Sequence, residues 1–340
     1  MSGVKRVGPQ TVELPSRPTI TATASIVGKK EGQGPLGDYY DLILDDDLYG
    51  ESSWEKAESK ILRETVEKVI QKAKIAISDI NYMFAGDLLN QSIATTFGIK
   101  ELEIPLFGIF GACSTMAESL SLAAMMVDGG FSEHSLAMTS SHFCSAERQF
   151  RFPLEYGSQR TPTSSWTVTG SGAALVSTLG EGPYITHITT GKIMDWGIKD
   201  ANNMGAAMAP AAADTILAHL KDTNRMPDFY DLIVTGDLGL YGKELCVDIL
   251  KKNNISLGNT YNDCGLMIFD CENQQVEAGG SGCGCSASVL CGYIMQLLKN
   301  QTINNVLFLA TGALMSTTSS QQSDTIPGIA HAVAITNYKE

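Results

Sequence analysis

The chain has no run of about 18 uninterrupted apolar residues, so nothing in its sequence reads as a membrane-spanning helix. The first twenty residues, MSGVKRVGPQTVELPSRPTI, place Lys5 and Arg6 ahead of no apolar stretch, and a chain without a signal peptide is expected. Positive charge is also short. Against 37 acidic residues stand 24 Lys and Arg, a net charge of −13, which argues against nucleic acid as a partner and gives no general attraction to anionic lipid. Cysteine is present eight times, but without a C-x-x-C or a spaced histidine partner, so no zinc or other metal site and no cofactor is expected. Without a secretory start, those cysteines read as reduced thiols. The acidic stretch GPLGDYYDLILDDDLYGESSW (34–54) lacks the ligand spacing of a calcium loop and reads as a surface loop.

What is present is a repeat. INYMFAGDLLNQ from Ile80 and YDLIVTGDLGLYG from Tyr230 are each an apolar strand followed by Gly-Asp-Leu. CSTMAESLSLAAMMVDGGFSEHSLAMTSS from Cys113 aligns without a gap to CGCSASVLCGYIMQLLKNQTINNVLFLAT from Cys283. Both read as a helix of roughly four turns, a polar link and a buried strand. TGSGAALVSTL (169–179) matches PGIAHAVAITN (327–337), and each Gly-Asp-Leu strand is preceded by an amphipathic helix, 54–75 and 206–223. The expected organisation is two α/β halves, 1–180 and 181–340, with mixed sheets covered by helices.

A duplicated α/β chain with a cysteine at the start of a buried helix resembles the thiolase superfamily, which includes thiolases and ketoacyl synthases. That resemblance implies a duplicated five-layered αβαβα sandwich and a homodimer. More narrowly, GIFGACSTMAESLSLAA, SSHF-SAE-QFRFPLEYGSQ (Cys144 and Arg148 outside the match), SWTVTGSGAALVS and IVTGDLGLYG resemble the stage V sporulation protein AD family. This implies binding of dipicolinic acid (pyridine-2,6-dicarboxylate), with or without calcium, beside membrane-embedded subunits of the stage V sporulation A set. It also implies a forespore or spore location, peripheral on the inner membrane.

Condensing enzymes of the superfamily support their nucleophilic cysteine with a histidine after the second-half strand and an Asn or His before the last long helix. Here Asp237 and Cys283 stand at those places. A carboxylate raises a neighbouring thiol's pKa, and a thiol is a poor hydrogen-bond donor. Cys113 is therefore expected to be a vestigial nucleophile position, and the protein not an enzyme. The alternative is an acyl-transfer or condensing enzyme that uses Cys113. A third reading is a scaffold with an empty pocket.

For a small dianion, the helix starts near Cys113 and Cys283 are the natural site, because each leaves amide N–H groups unpaired. The candidate binding residues are Cys113, Ser114, His142, Phe143, Arg148, Asp237, Cys283, Gly284 and His331. Gly111, Ala112, Gly282 and Gly284 would let a ligand approach the backbone. His142 would donate to a carboxylate, Phe143 would stack on a pyridine ring, and Arg148, Arg151 and Arg160 would supply charge. Each has a plainer reading. Cys113 and Cys283 suit a crowded core, Asp237 a turn cap, the arginines the surface, and His331 a hydrogen-bonded place within its strand. His134, His187 and His219 read as surface or segment-end residues.

Overall fold

The computed structural model describes residues 4–151 and 159–338. The FPLEYGS portion of the matching segment, 152–158, lies outside them.

Among the described residues, ten strands in one hydrogen-bonded path form two five-stranded sheets with the same spatial order. In the first the order is Thr19–Val27, Gly170–Ser177, His134–Ser141, Tyr82–Gly86, Leu106–Gly108. In the second it is Tyr184–Thr189, Gly328–Thr336, Asn305–Ala313, Leu232–Thr235, Tyr261–Asp263. Ladder hydrogen bonds join the two sheets at one residue pair, Thr19 with Tyr184. The short strand Thr11–Glu13 pairs with Tyr184–Thr189, so the N-terminal segment completes the second half.

Side chains alternate across each strand, which makes both sheets two-faced. In the first sheet Met83, Ala85, Leu136 and Met138 pack outward on Leu62, Val66 and Val69 of the helix Trp54–Ala73. In the second, Ile233, Leu307 and Leu309 pack outward on Ala212, Ile216 and Leu220 of the helix Met204–Thr223. The opposite faces, Phe84, Ala137 and Val176 from one sheet and Val234, Phe308 and Val333 from the other, enclose a shared core. Met116 and Leu120 from one central helix and Cys285, Val289 and Leu290 from the other fill it. Helix, sheet, helix pair, sheet and helix make the five-layered αβαβα sandwich that the resemblance to the thiolase superfamily implied.

The repeat extends to the helix ends. Ser53 accepts from the Lys56 amide and Asn203 from the Ala206 amide, the same cap in each half. Both outer helices end in a left-handed residue, Lys74 and Asn224. The central helices begin at Thr115 and Cys283, the latter continuing to Lys299 through a π-helical stretch at Val289–Ile294.

Three local expectations are corrected. The 34–54 stretch is not only a loop: Leu42–Ile43 pairs in parallel with Ile26–Val27. His187 and His219 are buried rather than at the surface. The His219 imidazole is saturated between Thr189 Oγ1 (2.7 Å) and the Tyr230 hydroxyl (2.5 Å), which allows an imidazole inside the second half.

Candidate functional site

The two central helices do meet at their starts. The Cys283 thiol donates to the Ala112 carbonyl at 3.0 Å, and Cys113, Cys283, Leu88 and Phe150 form one small apolar cluster. Ala112 is held left-handed (φ +50°), as is Gly282 at the other tip (φ +99°). At Gly282 such a backbone favours the absence of a side chain.

The amides of the second tip are not bare, which corrects the expectation of an open cradle. Gly282 N donates to Asp237 Oδ2 at 3.0 Å, and Gly284 N donates to Ser141 Oγ at 2.9 Å. The chain's own carboxylate occupies the place proposed for a ligand's. Asp237 also accepts from Thr311 Oγ1 at 2.7 Å. The turn carrying it is held by Asp263, whose carboxylate accepts from the Leu238 and Gly239 amides at 2.9 and 3.0 Å.

Burial, opposed by those hydrogen bonds, pushes the Asp237 carboxyl up to about 7. The Cys113 thiol is raised well above its ordinary value, first by burial and then by the charge of Asp237. A thiol held protonated beside a carboxylate is a weak nucleophile.

Cys113 lines the wall of a cavity of about 310 Å³. That is near the lower end of the ~300–1,000 Å³ range of small-molecule pockets. Leu88, Phe110, Phe150, Met204 and Met315 supply apolar wall. The polar side comes from Glu147 and Arg151, with Gln159, Ser165, Thr167, Asn202 and Ser281. Glu147 sits between two guanidiniums, Arg160 at 2.6 Å and Arg151 at 3.4 Å, and Arg160 also donates to the Ser165 carbonyl at 2.8 Å. Two cations thus share one carboxylate: Glu147 and Arg151 line the cavity, and Arg160 stands behind them.

Of the candidates read from sequence, Cys113, Ala112 and Arg151 line the cavity, and the remainder stand behind it or away from it. Ser114 is buried, with its hydroxyl on the Gly111 carbonyl. Asp237 and Cys283 are buried beside Cys113 rather than on the wall. Gly284 is wedged against the Gly170 carbonyl. His142 caps the helix Phe143–Phe150: its Nδ1 accepts from Cys144 N, and its Nε2 lies 2.8 Å from the Asp47 carbonyl. Phe143 already stacks on Trp166 at 3.9 Å. Arg148 points out of the site and pairs with Glu55. His331 accepts from the Gly191 amide at 3.2 Å. Among the described residues no histidine lines the cavity.

Apart from Cys113, Ala112 and Arg151, the wall residues, Glu147 and Phe150 among them, were not anticipated. Helical spacing offered a signal: Ala146, Glu147, Phe150 and Arg151 share one face of the helix that starts at Phe143, and Arg148 lies one position round from it.

The family model for "Stage V sporulation protein AD (SpoVAD)" matches residues 8–336 of this chain. Stage V sporulation protein AD of Bacillus subtilis (strain 168) is 46% identical over 330 residues, 97% of each chain. Among solved structures, a cerulenin-bound OleA of Xanthomonas campestris has a TM-score of 0.60 at 15% identity, covering 94% of this chain and 96% of that one. The 3-oxoacyl-[acyl-carrier-protein] synthase III of Aquifex aeolicus VF5 has a TM-score of 0.57 at 10% identity, covering 94% and 99%. At such identities these structures speak for the fold alone.

Proposed function

The chain belongs to the stage V sporulation protein AD family, and from that premise we propose that it binds dipicolinic acid, without transforming it, in the cavity beside Cys113. Arg151 carries the reading: a guanidinium in an otherwise largely apolar wall, sharing its only carboxylate with Arg160. Dipicolinate is flat, aromatic and doubly negative at neutral pH. Its ring suits the Phe110, Phe150 and Met315 side, and one carboxylate would take Arg151 by displacing Glu147, which keeps Arg160.

The acid enters free or as its calcium salt. Among the described residues no helix is long and apolar enough to cross a membrane, so passage of the ligand requires membrane-embedded partners. The protein would attach to them peripherally at the spore inner membrane, as a homodimer. Cys113 then serves as a lining group. The acyl-transfer alternative fares worse because a raised thiol faces a carboxylate and no imidazole.

Calorimetric titration with dipicolinate tests this. Saturable binding is expected, weakened at least ~10-fold in Arg151→Gln, since a charge-assisted hydrogen bond contributes about 1.5–3 kcal/mol. Cys113→Ala should stay close to wild type, and mass measurement after exposure to acyl-CoA should show no adduct. Absence of saturable binding, or acylation of Cys113, would overturn the reading.

A further inference from the structure

Away from this cavity, two other guanidiniums converge on a narrow cleft bounded by Thr186, Tyr230, Asn305 and Thr336. Arg17 donates through Nη2 to Glu13 at 3.1 Å, but its Nη1 is buried with no hydrogen-bond partner. Arg225 donates to the Tyr230 hydroxyl at 3.1 Å and lies over the Phe229 ring at 4.2 Å. Among the described residues Arg225 has no ion-pair partner.

The groups around the pair add no negative charge. His187 is pushed down to about 4 by burial and by the charges of Arg225 and Arg17, and His219 to about 3 by burial, His187 and Arg225. Both imidazoles are thus neutral at physiological pH. Two cations therefore face one carboxylate, Glu13, in a chain that elsewhere has a surplus of acid. A buried N–H without an acceptor and a guanidinium without a counter-charge both call for an anion. The free volume of the cleft is about 10 Å³, room for one water-sized centre and too little for an organic acid.

We infer that the cleft between Arg17 and Arg225 is a binding site for a halide-sized inorganic anion. Chloride there would accept from Arg17 Nη1 and neutralise Arg225. It would tie the turn that follows Thr11–Glu13 to the ends of the strands Asn305–Ala313 and Gly328–Thr336. This site is separate from the Cys113 cavity, and it stands or falls independently of dipicolinate binding.

Crystals of the full chain soaked in bromide provide the direct test. An anomalous peak is expected in the cleft within contact of both guanidiniums, absent in Arg225→Met. In solution, Tm in chloride should exceed Tm in isethionate at equal ionic strength by about 2 °C, and the difference should vanish in Arg225→Met and in Arg17→Met. If neither variant folds, the wild-type measurements decide. A cleft without bromide, an oxyanion that bromide does not replace, or equal Tm in the two salts would overturn the inference.

Discussion

Gly284→Ala adds one methyl group at the tip of the second central helix. Its Cβ would lie 2.4 Å from the Gly170 carbonyl oxygen, 2.7 Å from Ser141 Oγ and 3.0 Å from the Gly170 carbonyl carbon. Two of those three atoms are backbone of a central strand, so no side-chain rotation relieves the clash. The helix start must back away, which stretches the 2.9 Å bond from Gly284 N to Ser141 Oγ. Overpacking costs about 1–3 kcal/mol. A weakened hydrogen bond adds roughly 1 kcal/mol. The gain from replacing glycine by alanine in a helix returns up to about 1 kcal/mol. The net loss is roughly 1–3 kcal/mol, a fall in Tm of about 1.5–4 °C for a chain of this size. Thermal unfolding followed by circular dichroism measures it. Gly108→Ala is the control, because nothing lies within 4 Å of its Cβ. Equal Tm values for the two variants would refute the claim that Gly284 is needed for close packing. It would also restore Gly284 to the candidate ligand wall.

Two further outcomes follow from Asp237. Its folded pKa of about 7 is raised above that of a free carboxylate, so the folded state holds the extra proton; the stability this gives is full below about pH 4 and is lost as pH rises through about 7. Buried His187, His219 and His331 act in the opposite sense below about pH 6.5, so the comparison must be made against a variant. The fall in Tm between pH 5 and 8 should be smaller in Asp237→Asn than in wild type; parallel curves would count against a protonated Asp237. Alkylation of Cys113 by iodoacetamide should be slow at pH 8 and still climbing above pH 9, and faster in Asp237→Asn, where the neighbouring negative charge is gone. Mass spectrometry of the labelled peptide reads this, and a rate already level by pH 8 would contradict a raised thiol.

Strand and helix signals repeat at matching positions in the two halves, so the duplicated architecture was legible in the sequence. The meeting of the Cys113 and Cys283 helix starts was legible for the same reason. The ligand wall was legible only in part. Arg151 was named among three arginines of one segment, but Arg148 was preferred, although helical spacing sets it off the face shared by Glu147, Phe150 and Arg151. His142 and Phe143 sit at a strand end, as sites often do, yet a cap and a stacked tryptophan engage them.

Local order along the chain determined which residues became strands and helices, because backbone preference and hydrophobic period act over neighbours a few residues apart. That Asp237 and Cys283 stand where a histidine and an asparagine or histidine would be expected is what the resemblance to condensing enzymes implies, not something local order determined. Only the packed molecule decided that Asp237 would close the amide at Gly282, 45 residues away, and that Cys283 would reach the Ala112 carbonyl across 171. Those contacts depend on how two sheets and two helices settle against one another, and no local periodicity encodes that distance.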